Sequence, residues 1–317
     1  MADIAREAGL TSVVIVAADS GPLLMASCAA ALASSAPVEV ILVDNASTDG
    51  QPDRVVGAYA RDKRVRLLRN GQNLGFGPAC NRGAAMACGD VLVFLNPDCT
   101  IDPETIAVLR AIAADSSKLG LLGIEVLSPD GKPARGNRRR EPTLRRASMT
   151  FSGLAYFQSR WPALGGVEMP ALRTDRRPPV EIVEAVSGAF LFVPRQVFHE
   201  IGGFDESYFL HVEDLDLCRR VRDAGYAVAI VHGPHAIHVQ GGSSRRRPLF
   251  VSWHKHRGMW RYFRKFDPAA RNPLACAFAW VGIWGHFALL APFQFARRHV
   301  TARPAAPPGN GEATRAT

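Results

Sequence analysis

Apolar residues in the first hundred positions come in short, nearly unbroken runs, not in alternation with polar ones. Val13–Ala18 (VVIVAA), Val38–Val43 (VEVILV) and Val91–Leu95 (VLVFL) read this way. Strands of that kind are covered on both faces, as in parallel sheets. Between them lie the helix-compatible stretches Pro22–Ser34 and Pro78–Cys88 and a short strand, Val65–Leu68. Strand, helix, strand at this spacing predicts an α/β fold: a doubly wound, mostly parallel sheet with helices on both faces. Residues 128–146 read as a loop rich in Pro, Gly and Arg; a second apolar run, Ala185–Val193, and a strand, Val228–Val231, follow.

Past residue 250 the pattern changes. In Ser252–Phe266 (SWHKHRGMWRYFRKF), helical spacing puts Trp253, His256, Met259, Trp260, Phe263 and Phe266 within about 140° of one face. His254, Arg257, Arg261, Arg264 and Lys265 fall on the adjacent face. Basic on one side and aromatic on the other suits a helix lying in a membrane interface, although the aromatic face could equally pack on the rest of the chain. Leu274–Phe293 is then apolar, with His286 its one ionisable side chain. Its length would span a bilayer; interfacial insertion and a soluble helix are the alternatives. The expected organisation is a ligand-binding body over 1–250, a membrane-associating helical region over 251–300 and a disordered tail over 301–317.

Composition narrows the class. With 317 residues, 47% hydrophobic and 21% charged, the chain is too apolar for disorder and long enough for a large core. The net charge is +9, and eight of those charges lie after residue 250, where ten Lys/Arg face only Asp267 and Glu312. Such asymmetry suggests a polyanion partner, an anionic membrane surface or a nucleic acid. The Arg clusters 138–140 and 245–247 keep the second option in view, but no nucleic-acid-binding motif accompanies them, so no nucleic-acid partner is expected. The six cysteines are scattered, and the first dozen residues carry Asp3, Arg6 and Glu7 without an apolar core. A cytoplasmic protein with reduced thiols, no disulfides and no structural zinc is expected.

Ligands of open parallel sheets bind beyond the carboxyl ends of the strands. Asp44-Asn45 follows the second strand, where a carboxylate can accept hydrogen bonds from a ribose or a base; a turn cap is the alternative. Asn96-Pro97-Asp98 follows VLVFL, and Asp98 beside a diphosphate would hold a hard cation such as Mg²⁺ or Mn²⁺, unless the segment is a plain turn. Asn73-Leu-Gly75-Phe-Gly-Pro-Ala-Cys-Asn81 offers a helix N-terminus to the same edge, with Asn81 on the first turn. Its glycines match neither the dinucleotide fingerprint nor a P-loop.

Tyr208–Arg220 contains Glu213, Asp214 and Asp216, three carboxylates in four positions after an aromatic lead-in. An acidic helix start is one reading; a carboxylate general base with a neighbour that orients the substrate is the other. Of His232, His235 and His238, one imidazole joining Asp98 on a cation is the most economical arrangement, and His238 fits it. Asp98 with His238 are the candidate metal ligands, and the acidic segment around Asp214 is the candidate source of the catalytic base. Ala17, Asp44, Asn45, Asn73, Gly75, Asn81, Asn96, Glu213 and Arg257 are the substrate-binding candidates.

In this order, VVIVAADSG, VILVDNASTDG, NLGFGPACNRG, VLVFLNPD, VSGAFLFVPR, GGFDESYFLHVEDLDLCRRVRDAGY and HAIHVQGGSS resemble the inverting glycosyltransferases of family 2, in their rhamnosyltransferase-like branch. The resemblance runs from about Ser12 to Lys265 and implies a GT-A-like fold. It implies that Asp44 contacts the nucleotide, that Asp98 closes an Asp-x-Asp-like metal motif, that Asp214 is the base and that His238 is a metal ligand. Two departures stand out: Ala17-Ala18-Asp19 replaces the usual Thr-Tyr-Asn, and the metal motif keeps one carboxylate, as Asn96-x-Asp98. The implied donor is a nucleotide-diphosphate sugar, dTDP-rhamnose by branch, with UDP-sugars the alternative. The implied acceptor is a saccharide, lipid-linked, at the inner face of the cell membrane in cell-envelope polysaccharide synthesis. A catalytically silent lipid-saccharide or nucleic-acid binder is the rival of another class.

Overall fold

The structure, a computed structural model, describes residues 7–170, 177–239 and 247–301. The first half alternates strands and helices in the order β1 (Glu7–Ala17), α1 (Leu23–Leu32), β2 (Val38–Asp44), α2 (Gln51–Ala58), β3 (Val65–Arg69), α3 (Phe76–Met86) and β4 (Gly89–Leu95). Strands β1 to β4 are parallel, and the order β3-β2-β1-β4 places the topological switch between β1 and β4. The carboxyl ends of those strands therefore open a crevice where a ligand can enter. Next come β5 (Cys99–Ile101), α4 (Thr105–Ala114), β6 (Leu119–Leu127), β7 (Arg138–Arg139) and α5 (Leu144–Phe151). The chain continues through β8 (Val180–Ile182), β9 (Ala185–Val186), β10 (Phe190–Pro194), α6 (Arg195–Glu200), α7 (Glu213–Asp223) and β11 (Ala227–His238). β10 is antiparallel to both β4 and β6, and β11 is parallel to β6. β5 and β8 pair antiparallel with β11. The sheet is thus mostly parallel and covered by helices, as the apolar runs imply.

Both faces of that sheet are buried. Val14, Val16, Leu92 and Phe94 pack with α3 and α7 on one side; Val13, Ile15, Val93 and Phe192 pack with α1 and α4 on the other. This is why the runs show no alternation.

Two local expectations change. The run Ala185–Val193 is not one strand: Ser187–Ala189 interrupts it, and β9 leaves the main sheet to pair with β7. The segment read as a loop, 128–146, holds β7 and runs into the first turn of α5, started by Thr143, whose side chain accepts from the Arg146 N–H.

The C-terminal region holds α8 (Pro248–Phe266) and α9 (Pro273–Thr301). Helix α8 is clasped by the body. Tyr262 belongs to the core, Lys265 binds Asp216 at 2.6 Å and Asp205 at 2.8 Å, and Arg261 binds Asp205 at 2.9 Å. Burial raises the Asp205 pKa, but the hydrogen bonds from Lys265 and Arg261 outweigh it and hold the carboxyl below its ordinary value. Two of the basic residues expected to face lipid are consequently committed internally, and Arg264 lies over Trp260. The other edge of α8 packs on α9 through Trp253–Trp284, 4.8 Å between rings, and His256 Nε2–His286 Nδ1, 2.9 Å apart.

Over Pro273–Phe295, α9 is long and apolar enough to cross a membrane, with a mean hydropathy of 1.7 and only 6% of that stretch buried. The tail after Thr301, Arg303 and Arg315 within it, and the cluster members Arg245 and Arg246 lie outside the described residues.

Candidate active site

A cavity of about 1810 Å³ opens at the carboxyl ends of β1, β2 and β4 and extends between α5, α8 and α9. At the sheet edge it is lined by Ala18, Asp19, Ser20, Asn45 and Asn96–Asp98. These loops are cross-braced. Asp19 Oδ1 accepts from the Thr48 N–H at 2.7 Å, and Gly21 N–H donates to Asp49 at 2.9 Å. Asn45 is nearly buried; it donates to Asn73 Oδ1 (2.9 Å) and Gly75 O (3.1 Å) and accepts from Asn70 and Leu74. It places Asn73 and Gly75 on the cavity wall. Gly75 has φ +93, and a Cβ there would stand 2.5 Å from Phe209 O, so only glycine fits. The N–H of Phe76, at the head of α3, is already spent on Phe209 O (2.8 Å).

Several candidate residues do other work. Asp44 does not line the cavity; its Oδ1 accepts from the Ser47 N–H (2.8 Å) and its Oδ2 from Arg69 (2.9 Å). That is the turn-capping alternative. Ala17 is fully buried beneath the crevice, while Ala18 reaches it. Asn81 sits in the second turn of α3, not the first, because the helix starts at Phe76. Its amide binds Phe204 N–H and O (2.8 and 2.9 Å), fixing the turn before the acidic segment. Arg257 is exposed on α8 and is not among the cavity residues.

Asp98 and His238 do meet. The antiparallel register pairs His238 with Cys99, and Val239 N–H donates to Asp98 O (3.1 Å). His238 Nε2 then lies 3.0 Å from Asp98 Oδ1, both partly open to the cavity. With Cys99 Sγ, their potential ligand atoms fall within 4.8 Å of one another. The buried Cys99 thiol is pushed well above its ordinary pKa by burial and then by the charge of Asp98. A protonated thiol is a poor ligand for a hard cation, so the carboxylate and imidazole fit Mg²⁺ or Mn²⁺ and the sulfur adds nothing. His232 and His235 have their own partners, Glu181 (3.1 Å) and Asp102 (3.5 Å).

The acidic pair is set by a strained turn. His211 and Val212 have φ of +66 and +73, rare for a β-branched residue, immediately before α7 begins at Glu213. Asp214 Oδ2 meets Arg139 Nη2 at 2.5 Å and the Gly188 N–H at 3.1 Å; Oδ1 accepts from the Leu215 N–H at 2.8 Å. Burial raises the Asp214 pKa, but the charge and hydrogen bond of Arg139 outweigh it and leave the carboxyl below its ordinary value. Glu213 has no such partner: Oε2 is buried without a hydrogen bond, and burial, then the Asp214 charge, pushes its pKa up to about 8. Near neutral pH the site thus holds one anion and one proton donor. Asp216, two residues on, is fully buried and tied to Arg220 and Lys265, outside the cavity.

Sequence reasoning missed Arg139, which comes from β7 and is one of three consecutive arginines with nothing local to single it out. Its neighbours are used elsewhere, Arg138 on Glu181 (2.8 Å) and Arg140 on Gln158 (3.0 Å). It also missed Gly188, where a Cβ would approach Asp214 Cβ to 2.9 Å. A glycine interrupting an apolar run is a signal of close approach, so this one was readable.

Residues 12–164 match the profile of Glycosyl transferase family 2. The chain is 35% identical over 272 residues to N-acetylglucosaminyl-diphospho-decaprenol L-rhamnosyltransferase of Mycobacterium tuberculosis (strain CDC 1551 / Oshkosh), covering 78% of this chain and 86% of that one. Among solved structures, a mannosyltransferase from Pyrobaculum calidifontis in complex with GDP-Man and Mn²⁺ superposes with a TM-score of 0.55 at 16% identity, over 93% of this chain and 76% of that one. GalNAc-T7 with UDP, GalNAc and Mn²⁺ gives 0.56 at 16% identity, over 79% of this chain and 48% of that one. At such identity these two structures speak for the fold, a GT-A-like one.

Proposed function

This chain belongs to glycosyl transferase family 2, and from that premise we propose that it transfers L-rhamnose from dTDP-rhamnose to a lipid-linked saccharide with inversion at the anomeric carbon. The relative from Mycobacterium supports the donor sugar and the acceptor class through its name. The observation that carries the reading is one cavity with two chemistries: the Asp98–His238 pair at the sheet edge and the Arg139-held Asp214 beside Glu213.

Asp214, kept ionised by Arg139, accepts the proton of the acceptor hydroxyl as that oxygen attacks the anomeric carbon. The bond from that carbon to the diphosphate oxygen breaks as the new one forms, and the nucleoside diphosphate leaves with its electron pair. One displacement from the opposite face inverts the centre and needs no second carboxylate as nucleophile. Asp98 and His238 would hold a divalent cation, whose charge would stabilise the leaving diphosphate. Glu213, protonated near neutral pH, donates a hydrogen bond that orients a bound hydroxyl. Residues 1–250 supply this chemistry, and α9 associates the enzyme with the cytoplasmic face of the membrane.

The test is transfer itself. Full-length protein is given dTDP-rhamnose or UDP-sugars, an N-acetylglucosamine-diphosphate lipid and Mg²⁺ or Mn²⁺, and the product's anomeric configuration is read by NMR. Rhamnose transfer with inversion, abolished by EDTA, is expected. Retention of configuration would remove Asp214 as sole base, full activity in EDTA would remove the metal, and transfer from a UDP-sugar alone would replace the donor.

A further inference from the structure

The cavity is far larger than a nucleotide sugar requires, and its outer half is apolar. From the carboxylate turn it continues between α5 and α9, past Phe151, Ala279, Gly282, Ile283 and Leu289. The two sides approach each other at Phe151 and His286, with ring centroids 5.0 Å apart. These walls are open: Phe151 is 61% and Leu289 73% exposed. Around the outer end of α5 the chain also exposes Tyr156, Phe157 and Trp161, aromatic residues suited to the membrane interface. A monomer does not keep so large an apolar surface wet without a use for it.

The junction between polar and apolar halves is basic. Arg247, at the start of α8, and Lys255, in its middle, both line the cavity. Lys255 shares the cavity lining with His211, beside the carboxylates, and with His286 of α9. Along α9, Gly282 and Gly285 leave the channel wide: a Cβ at either would meet no heavy atom within 4 Å. Neither glycine is required by its backbone, since neither has a positive φ.

We propose that the groove between α5, α8 and α9 holds the polyisoprenoid tail of the acceptor, with Lys255 and Arg247 on its diphosphate. This rests on the lipid-linked acceptor of the functional reading and adds where the lipid lies. Shape, polarity and charge agree along one path: carboxylates for the sugar hydroxyl, two cations for the phosphates, then an apolar groove open to the bilayer side. The alternative occupant of the groove is bulk phospholipid.

Photo-labelling separates the two. Full-length protein in nanodiscs is irradiated with a diazirine-bearing polyprenyl diphosphate, and labelled peptides are mapped in the wild type and in Gly282→Leu/Gly285→Leu and Lys255→Met. Labelling concentrated on α5 and α9, cut about 10-fold by the leucines, a change of ~1.4 kcal/mol, is expected. Lys255→Met should weaken labelling by the diphosphate but not by the free polyprenol. Labelling spread over the outward face of α9, unchanged in the leucine variant or equally strong with a diazirine phospholipid, would overturn the proposal. In parallel, the leucine variant should lower the ratio of kcat/KM for a long-chain over a short-chain acceptor about 10-fold; an unchanged ratio would also overturn it. Wild-type protein that labels in the groove yet transfers no sugar would defeat the functional reading and leave the lipid site standing.

Discussion

At the sheet edge the cavity wall is made of loops tied to one another by hydrogen bonds, whereas its far wall is made of helices that meet through aromatic and apolar contacts and leave large side chains open. Asn45 alone joins the loops after β2 and β3 with four hydrogen bonds, and Asp19 and Asp49 join those after β1 and β2. Across the cavity, Phe151 and Leu289 stand largely exposed and α9 is held through one edge by α8. A rigid edge suits a small polar ligand whose reacting atom must be placed within fractions of an ångström. An open apolar wall suits a ligand that needs only partition, not placement. The carboxylates lie where the two meet, fixed from below by Arg139 and Gly188.

The comparison can be broken at that junction first. Asp214→Asn keeps the size but loses the charge that pairs with Arg139 and cannot take a proton, so kcat should fall about 10²–10⁴-fold while nucleotide affinity, measured by calorimetry, persists. Loss of nucleotide binding along with turnover would place Asp214 in the rigid wall instead. Gly188→Ala tests the placement: its methyl group would press on Asp214 at 2.9 Å. A displacement of that order should cost roughly 10–10²-fold in kcat with KM for the donor little changed. An unaffected kcat would show that Asp214 tolerates movement.

Glu213 gives a smaller, pH-dependent effect. Its pKa is raised from an ordinary 4.5 to about 8, so folding favours its protonated form. The stability it contributes is full below 4.5, declines as pH climbs towards about 8 and is gone above it. Glu213→Gln cannot titrate, so the Tm difference, wild type minus variant, should shrink across that window and be constant beyond it. Activity of the wild type should fall through the same upper limb, and that of the variant should not. Parallel Tm profiles would mean that Glu213 is ionised in the fold. The smallest effect is expected at Arg257, exposed and outside the cavity: Arg257→Ala should change kcat/KM less than about 2-fold, in line with the usual neutrality of surface substitutions. A larger loss would extend the substrate site along α8.

Much of the architecture was legible in one dimension. The apolar runs at β1, β2 and β4 showed their burial because a strand covered on both faces has no polar face to alternate with. The turn residues after those strands, and the acidic segment opening α7, were visible through their chemistry, as was the amphipathic α8. What the sequence did not give was the partners of these groups inside the fold. Asp44 is a carboxylate at the ligand edge, but Ser47 and Arg69 occupy it. Asn81 braces Phe204. The basic face of α8, read as a surface for lipid, gives Arg261 and Lys265 to Asp205 and Asp216.

The sequence by itself determined the periods, the breaks and the stock of charged groups, because these depend on residues within a turn or a strand of one another. Only the tertiary structure decided which of two adjacent carboxylates is the anion. Arg139 is 75 residues from Asp214 and reaches it because β7 pairs with β9, and Gly188 beside β9 lets the carboxylate approach. Glu213, one position earlier, has no hydrogen-bond partner for its buried Oε2, and burial with the neighbouring Asp214 charge raises its pKa. In a low-dielectric site a single ion pair outweighs everything the local sequence says about an acid, and ion pairs form between segments that only the fold brings together.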